Sequence, residues 1–165
     1  MSLSLIALRF SEHTFQETLA MTTAPFIQPY LIFDGQCAEA IAFYQQALGA
    51  EVKLMMHFRD APEPPPPDQV TPGYEDKVMH AEFTIGESTV LASDNPCHGQ
   101  SKPGGFSLSL NLADAAAARR CFDALSDGAE ILMPLSATFW SPCFGMLRDR
   151  FGLGWMINVP APDAH

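Results

Sequence analysis

The sequence is poor in basic residues and has no paired cysteines. Nine Lys and Arg residues stand against nineteen Asp and Glu residues, which gives a formal net charge of -10 at pH 7. A chain of this charge repels phosphate backbones and anionic lipid surfaces, so we expect no nucleic acid and no membrane among its partners. The four cysteines occur singly, without a CxxC pair. This argues against a zinc ribbon or a disulfide scaffold and favours reduced thiols in the cytoplasm.

The first residues also lack the features of a secretion signal. A short apolar run is present, but it has no basic start and no small-residue cleavage pattern after a long apolar core. We therefore interpret residues 1–24 as an N-terminal extension, non-native or flexible, that lies outside the fold. The predicted domain covers residues 25–160, and residues 161–165 form a tail.

The remaining sequence suits a folded domain whose first half has the order β-α-β-β-β. Hydrophobic residues make up 47% of the chain and charged residues 17%, as in ordinary globular domains. QPYLIFDG predicts a strand closed by a turn, CAEAIAFYQQAL a helix ended by Gly49, and AEVKLMMHF a second strand. A long proline-rich loop from Arg59 to Asp76 then leads into the strands VMHAEFTI and STVLASD.

The same order recurs in the second half. FSLSLNL predicts a strand, DAAAARRCFDALSDG a helix capped by Asp114 and ended by Gly128, and AEILMPL the next strand, before a hairpin around Phe151 and Gly152. We therefore predict an α+β fold of two βαβββ modules, at residues 26–95 and 104–160, rather than a doubly wound sheet. With their helices outside, the two curved sheets would face each other across a pocket for a small molecule.

One strand places two polar side chains where they can act together. In VMHAEFTI, His80 and Glu82 share one face, opposite Ala81 and Phe83, because side chains alternate along a strand. A paired imidazole and carboxylate could act as acid and base or hold a polar ligand, so these two residues are the best catalytic candidates. The alternative is a solvated or cross-strand hydrogen-bonded pair on the sheet surface.

Several segments resemble one known family. YLIFDG, AIAFYQQALGAE, KVMHAEFTIG, LASDN and FGMLRDRFGLGWMIN, between Ile27 and Val159, are similar to PhnB-like members of the glyoxalase/bleomycin-resistance (vicinal oxygen chelate) superfamily. The resemblance implies the duplicated fold, and superfamily analogy favours a homodimer. It extends to proteins named as 3-demethylubiquinone-9 3-methyltransferases. We nevertheless expect no methyl transfer, because no Gly-rich strand-to-helix turn suited to a nucleotide-like methyl donor is present.

The resemblance also implies where a metal would be held. In metal-dependent members of the superfamily, strands of both modules supply four ligands. The corresponding positions here are Gln28, Val90 or Leu91, Ser107 and Met156. Divalent metals in such a site need converging imidazole and carboxylate donors, which these residue types do not provide. We therefore expect no bound metal and no other cofactor.

The residues expected to line the pocket come from both modules. They are Gln28, Tyr30, His80, Glu82, Ser107, Trp140 and Met156. Trp140 would form an apolar wall with Phe139, or else pack in the core or in a dimer interface, and Trp155 is expected to pack under the second helix. Arg148 and Arg150 alternate with Leu147 and Asp149, a pattern that we interpret as surface ion pairs.

Three functions remain open at this point. The leading hypothesis is a metal-independent protein that binds a small, partly apolar organic molecule, with or without an unassigned enzymatic activity. The second is non-catalytic sequestration of a small molecule, as in resistance proteins. The third is a metal-dependent glyoxalase or dioxygenase with ligands at other positions. Catalysis by Cys143, or by Cys97 with His98, is disfavoured because the sequence sets no third group to orient a base.

Overall fold

The computed structural model describes residues 25–63, 73–95 and 104–161. The predicted extension at 1–24, the centre of the proline-rich loop at 64–72, the Cys97 and His98 pair, and residues 162–165 lie outside the described residues. Among the described helices, none is long and apolar enough to cross a bilayer.

The first module contains one four-stranded sheet and one α-helix. Its elements are β1 (Tyr30–Phe33), α1 (Cys37–Leu48), β2 (Glu51–His57), a 3-10 turn (Phe58–Asp60), β3 (Val78–Ile85) and β4 (Ser88–Asp94). The strand order is β1-β4-β3-β2. β1 runs parallel to β4, whereas the other neighbours are antiparallel. The helix α1 therefore connects the two edge strands of the sheet.

The second module repeats this arrangement. Its elements are β5 (Leu108–Asn111), α2 (Ala115–Leu125), β6 (Glu130–Ser136), β7 (Cys143–Arg148) and β8 (Gly154–Val159). The strand order is β5-β8-β7-β6, again with the first and last strands parallel. The α+β fold predicted from the sequence is confirmed, and the order β-α-β-β-β occurs in both halves.

The ends of the two helices follow from local hydrogen bonding. Gly49 follows α1 with a φ of 69°, and its N–H donates to the carbonyl of Gln45, which is the left-handed ending that glycine favours. The carboxylate of Asp114 caps α2 by accepting a hydrogen bond of 2.7 Å from the N–H of Ala117. The helix α2 ends at Leu125, before the predicted end at Gly128, because a turn occupies the residues between.

The core lies where the helices meet the inner faces of both sheets. The ring of Tyr44 in α1 stacks on Phe83 of β3 at a centroid distance of 6.2 Å and packs edge-on against Trp155 of β8 at 5.5 Å. All three side chains are almost fully buried, and burial of one large apolar side chain contributes about 1.5–3 kcal/mol. Trp155, which was expected under the second helix, contacts Tyr44 in the helix of the first module.

The positions of the helices differ from the sequence-based expectation. Helix α1 contacts α2, and an ideal Cβ at Gly145 on the inner face of β7 would lie 2.9 Å from the ring of Phe122 in α2. The helices therefore cover the inner faces of the sheets, and the opposite faces point outward. In the described part of a single chain, the two sheets do not close around a shared pocket.

Candidate functional site

The outward face of the first sheet carries the predicted polar pair. Along β3, Ala81 and Phe83 are buried in the core, whereas His80 and Glu82 are half-buried on the opposite face. Tyr30 of β1 lies on the same outward face and is 46% exposed. We call this surface the first-module face. Its polar groups are accessible to a ligand, unlike the buried side chains on the other side of the same strands.

The strand register brings three of these side chains together around Leu91. Leu91 of β4 pairs with Tyr30 of β1 on one side and with Glu82 of β3 on the other. The hydroxyl of Tyr30 lies 3.4 Å from Nδ1 of His80, and the two rings are 6.0 Å apart. This separation is at the long end of hydrogen bonding. The arrangement offers a phenol, an imidazole and a carboxylate beside an apolar side chain, so it can hold a polar group of a ligand.

Three methionines form a row on the outward face of the second sheet. Met156 of β8 pairs with Met146 of β7, which in turn pairs with Met133 of β6. Directly paired residues point to the same side of a sheet, and all three methionines are half-buried. We call this surface the second-module face. Unbranched thioether side chains adapt their shape to an apolar ligand.

One end of the methionine row opens into a pocket of about 290 Å³. The lining residues with side chains are Phe106, Ser107, Leu132, Arg148 and Met156, and four glycines complete the wall. Gly154 is one of these glycines, and a Cβ at this position would lie 2.6 Å from Oγ of Ser107 and 3.1 Å from the carbonyl oxygen of Phe106. A side chain at position 154 would therefore reduce the pocket.

An aromatic cluster lies at the other end of the same face. Phe144 of β7 precedes Met146 by two residues and therefore points to the same side, and its ring lies 5.6 Å from that of Trp140. Trp140 contacts Phe139 at 4.5 Å, and the two side chains are 47% and 96% exposed. The predicted aromatic wall of Trp140 and Phe139 thus exists as an exposed cluster beside the second-module face.

The alternating Arg and Asp residues near the last hairpin have two different environments. Arg148 forms an ion pair with Glu130 at 2.5 Å, and Arg150 forms one with Asp127, as the sequence pattern predicted. Asp149 is instead 4% exposed and accepts hydrogen bonds from Tyr44 and Trp155. The expectation of a surface position for this aspartate was wrong, because its carboxylate is satisfied by buried donors.

The structure separates the predicted pocket residues into groups. Tyr30, His80 and Glu82 lie on the first-module face, with Gln28 half-buried two residues before Tyr30. The second-module groups are Ser107 with Met156 in the pocket, and Trp140 in the aromatic cluster. No residue of the first module lines the described pocket, which contains only Ser107 and Met156 of the predicted set.

Sequence reasoning missed three residues of these faces as site components. Leu91 was considered only as a failed metal ligand, Arg148 only as a surface ion pair, and Met146 was not singled out. A signal for Met146 was available, since residues 144, 146 and 148 alternate with the apolar run of β7 in the sequence. The pairing of Met146 with Met156 depends on strand register, which a single sequence does not reveal.

The four positions that the family resemblance implies for a metal do not offer a suitable set of donors. Val90 is 3% exposed and points into the core, so the position on the outward face is Leu91 rather than Val90. The set is then Gln28, Leu91, Ser107 and Met156, without an imidazole or a carboxylate. Among the described residues, no group of three His, Cys, Asp or Glu side chains is placed to hold a metal ion. These residues do not fit a divalent metal.

The described thiols are poorly suited to nucleophilic chemistry. Burial, reinforced by the negative charge of Asp94, raises the pKa of the Cys37 thiol to about 12. Burial also raises the pKa of Cys121 above its usual value. Cys143 is 5% exposed. A thiol reacts as the thiolate, so neither Cys37 nor Cys121 is activated.

Comparison with known proteins agrees with this fold. The Glyoxalase/Bleomycin resistance protein/Dioxygenase superfamily matches residues 26–157. Protein YjdN of Escherichia coli is 36% identical over 140 residues, covering 81% of this chain and 94% of the relative. The crystal structure of protein PA1353 from Pseudomonas aeruginosa has 42% sequence identity and a TM-score of 0.74, covering 83% of this chain and 98% of that one.

A PhnB protein from Bacillus cereus is a further structural neighbour. It has 26% sequence identity and a TM-score of 0.66, covering 82% of this chain and 99% of that one, and its name refers to a 3-demethylubiquinone-9 3-methyltransferase. The superfamily match spans most of the chain, and the relatives match over nearly their whole lengths. The chain therefore belongs to the Glyoxalase/Bleomycin resistance protein/Dioxygenase superfamily and resembles its PhnB-like members.

Proposed function

We propose that this protein binds a small, partly apolar organic molecule without the help of a bound metal. The observation that carries the proposal is the pair of outward sheet faces, each with apolar side chains beside a few polar groups. Such a combination is typical of small-molecule sites. The four positions implied for metal ligands hold no imidazole or carboxylate, which supports binding through side-chain contacts rather than through a metal.

The proposal includes a homodimer in the cytoplasm that completes the site. The described residues of each chain leave both faces open, so a second copy can place its second-module face over the first-module face of its partner. Two such sites would form in a symmetric dimer, because a two-fold axis repeats every contact. The half-exposed apolar residues Tyr30, Ile32 and Leu54 of the first sheet support a covered rather than a solvated surface.

His80 and Glu82 are the groups that we propose to act on the bound molecule. Their position beside Tyr30 and Leu91 would let them hydrogen-bond a polar group of the ligand. With a reactive ligand the imidazole and the carboxylate can also move a proton. Pure sequestration is the alternative for the same geometry, because all contacts needed for binding would remain without a chemical step.

Metal analysis of the purified protein tests the first part of the proposal. We expect zinc, nickel, iron and manganese well below one equivalent per chain after purification without chelator, and unchanged ligand binding after treatment with EDTA. A stoichiometric metal that is required for ligand binding would contradict the proposal. Sedimentation of the same sample should give a dimer, and a monomer at all concentrations would contradict the shared site.

The variants His80→Ala and Glu82→Ala separate catalysis from sequestration once a ligand that co-purifies with the protein has been identified. For a catalyst we expect turnover to fall at least a hundredfold in either variant, because general acid or base catalysis contributes about 10²–10⁴ in rate. For a sequestering protein only the dissociation constant changes. Thr84→Ala, on the same strand face, is the matched control and should change neither quantity more than twofold.

A further inference from the structure

The only cation among the lining side chains of the described pocket is Arg148. Its guanidinium donates from Nη1 to Glu130, which is the one partner described for it. A guanidinium has five N–H donors, so one carboxylate leaves donors for a second anion. The hydroxyl of Ser107 lines the same pocket, and a hydroxyl can donate to the same anion. This end of the second-module face is therefore able to hold an acidic group.

The surface beyond the pocket carries a band of apolar side chains, which is bordered by Asn158 and its hydrogen-bond partner Asn111. The methionine row of Met133, Met146 and Met156 adjoins the pocket, and Phe144 with Trp140 continues the same face. Aromatic rings and thioethers favour flat apolar groups, which they contact through large polarisable surfaces. Along β7 the side chains of this face therefore change from cationic at Arg148 to apolar at Met146 and Phe144.

The length of this gradient follows from strand geometry. Phe144, Met146 and Arg148 occupy alternate positions of β7, and each residue advances the chain by roughly 3.4 Å. The α-carbons of Phe144 and Arg148 are therefore separated by roughly 14 Å along the strand. A ligand that reaches both must be longer than a small metabolite such as a simple keto acid.

We infer that the ligand of the second-module face is an amphipathic organic anion, with its acidic group at Arg148 and Ser107 and its apolar body across the methionine row toward Trp140. The inference rests on the proposed function, because it names the class of molecule that the same site binds. It goes further in fixing the orientation of the molecule. Carboxylates and sulfonates share the chemistry that Arg148 recognises.

Two dyes with the same ring system test the inference. Anilinonaphthalene sulfonate carries an acidic group, whereas phenylnaphthylamine has the same rings without it. We expect the wild-type protein to bind the sulfonate saturably and at least fivefold more tightly than the neutral dye. Arg148→Gln should weaken binding of the sulfonate at least fivefold and change the affinity for the neutral dye by less than twofold. Arg119→Gln, on the exposed surface of α2, is the control and should change neither.

Glu130→Gln should change the affinity for anilinonaphthalene sulfonate in the opposite direction to Arg148→Gln. Loss of the carboxylate removes the competing partner of Arg148, so we expect two- to fivefold tighter binding of the sulfonate.

The position of the apolar part of the ligand is tested by energy transfer from tryptophan to the bound dye. Trp140→Phe should lower the sensitised emission if the rings lie near the aromatic cluster, and the emission that remains would come from Trp155, which pairs with Leu147.

The outcomes separate this inference from the proposed function. Equal affinity for both dyes, or loss of both in Arg148→Gln with unchanged secondary structure, would overturn the amphipathic anion while leaving a small-molecule site. Unchanged sensitised emission in Trp140→Phe would overturn the orientation. Absence of saturable binding of either dye would overturn the inference, whereas the proposed function is tested separately by the metal analysis and by the ligand that co-purifies with the protein.

Discussion

The hydroxyl of Tyr44 in the first module donates a hydrogen bond of 2.8 Å to the buried carboxylate of Asp149 in the second module. The indole N–H of Trp155 donates to the same carboxylate oxygen at 2.9 Å. The other oxygen accepts from the backbone N–H groups of Phe151 and Leu153. Four donors thus satisfy an anion that is 4% exposed, and one of them connects the modules.

Removal of the Tyr44 hydroxyl should destabilise the whole domain. Tyr44→Phe keeps the ring in the core but deletes one donor to a buried charge, so we expect a loss of about 2 kcal/mol in the free energy of unfolding. Urea denaturation followed by circular dichroism measures the change. Tyr30→Phe is the matched control, because its hydroxyl is on an exposed side chain, and should change stability by less than about 0.5 kcal/mol. Equal effects of both substitutions would contradict a structural role for the Tyr44 bond.

Tyr44 should also make stability fall at alkaline pH. Burial, followed by the charge of Asp149, raises the pKa of Tyr44 in the folded protein far above its usual value. A folded pKa above the unfolded value gives stability that is complete below the unfolded pKa of about 10 and is lost as the pH rises beyond it. We expect the advantage of the wild type over Tyr44→Phe to shrink by about 1.4 kcal/mol per pH unit above pH 10. Urea unfolding of the wild type and of Tyr44→Phe at several pH values measures this difference in unfolding free energy. A difference that stays constant above pH 10 would contradict a raised pKa of Tyr44 in the folded protein.

A second buried carboxylate organises the first module. Asp94 is 1% exposed and accepts hydrogen bonds from the backbone N–H groups of Cys37 at 2.8 Å and Val78 at 2.9 Å. Asp94→Ala would leave both donors buried without this partner, so we expect a loss of about 3 kcal/mol in unfolding free energy. Asp114→Ala removes an exposed helix cap and should cost only about 1 kcal/mol. Chemical denaturation of the two variants compares them, and a smaller effect at position 94 would argue against its role.

The pKa of Cys37 leads to a prediction about alkylation. With a pKa of about 12, only about one thiol in ten thousand is ionised at pH 8. Iodoacetamide should therefore leave Cys37 unmodified in the native protein for hours and modify it rapidly in urea. Peptide mass spectrometry of both samples gives the result. Rapid labelling of Cys37 in the folded protein would show that the start of α1 opens readily.

The local pattern of the sequence was enough to predict the elements of the fold. Alternation in β3 predicted the faces of His80 and Glu82, and Asp114 predicted the start of α2. These features depend on neighbours within a few residues, where periodicity and capping act. The fold class and the superfamily followed from the repeated order of such elements and from the quoted segments.

The relation between the modules could not be predicted in the same way. Each sheet has two faces, and the sequence of one module does not say which face the other module covers. Here α1 and α2 pack together, with Tyr44 reaching Asp149 and Trp155 across a long sequence separation. An aspartate between two arginines has the local pattern of a surface residue, and only the tertiary donors explain its burial. The site residues on both faces remain predictions until a ligand is identified.

Two glycines on neighbouring strands allow the pocket to be tested separately from the core. Gly154→Ala would place a Cβ 2.6 Å from Oγ of Ser107 at the pocket wall, whereas Gly145→Ala would place one 2.9 Å from the ring of Phe122 in the core. We expect Gly154→Ala to weaken the binding of anilinonaphthalene sulfonate at least threefold. Gly145→Ala should leave the affinity nearly unchanged but lower the unfolding free energy by about 1–3 kcal/mol through overpacking. Dye titration and urea denaturation of each variant separate the two effects, and the reverse pattern would place the ligand on the core side of the sheet.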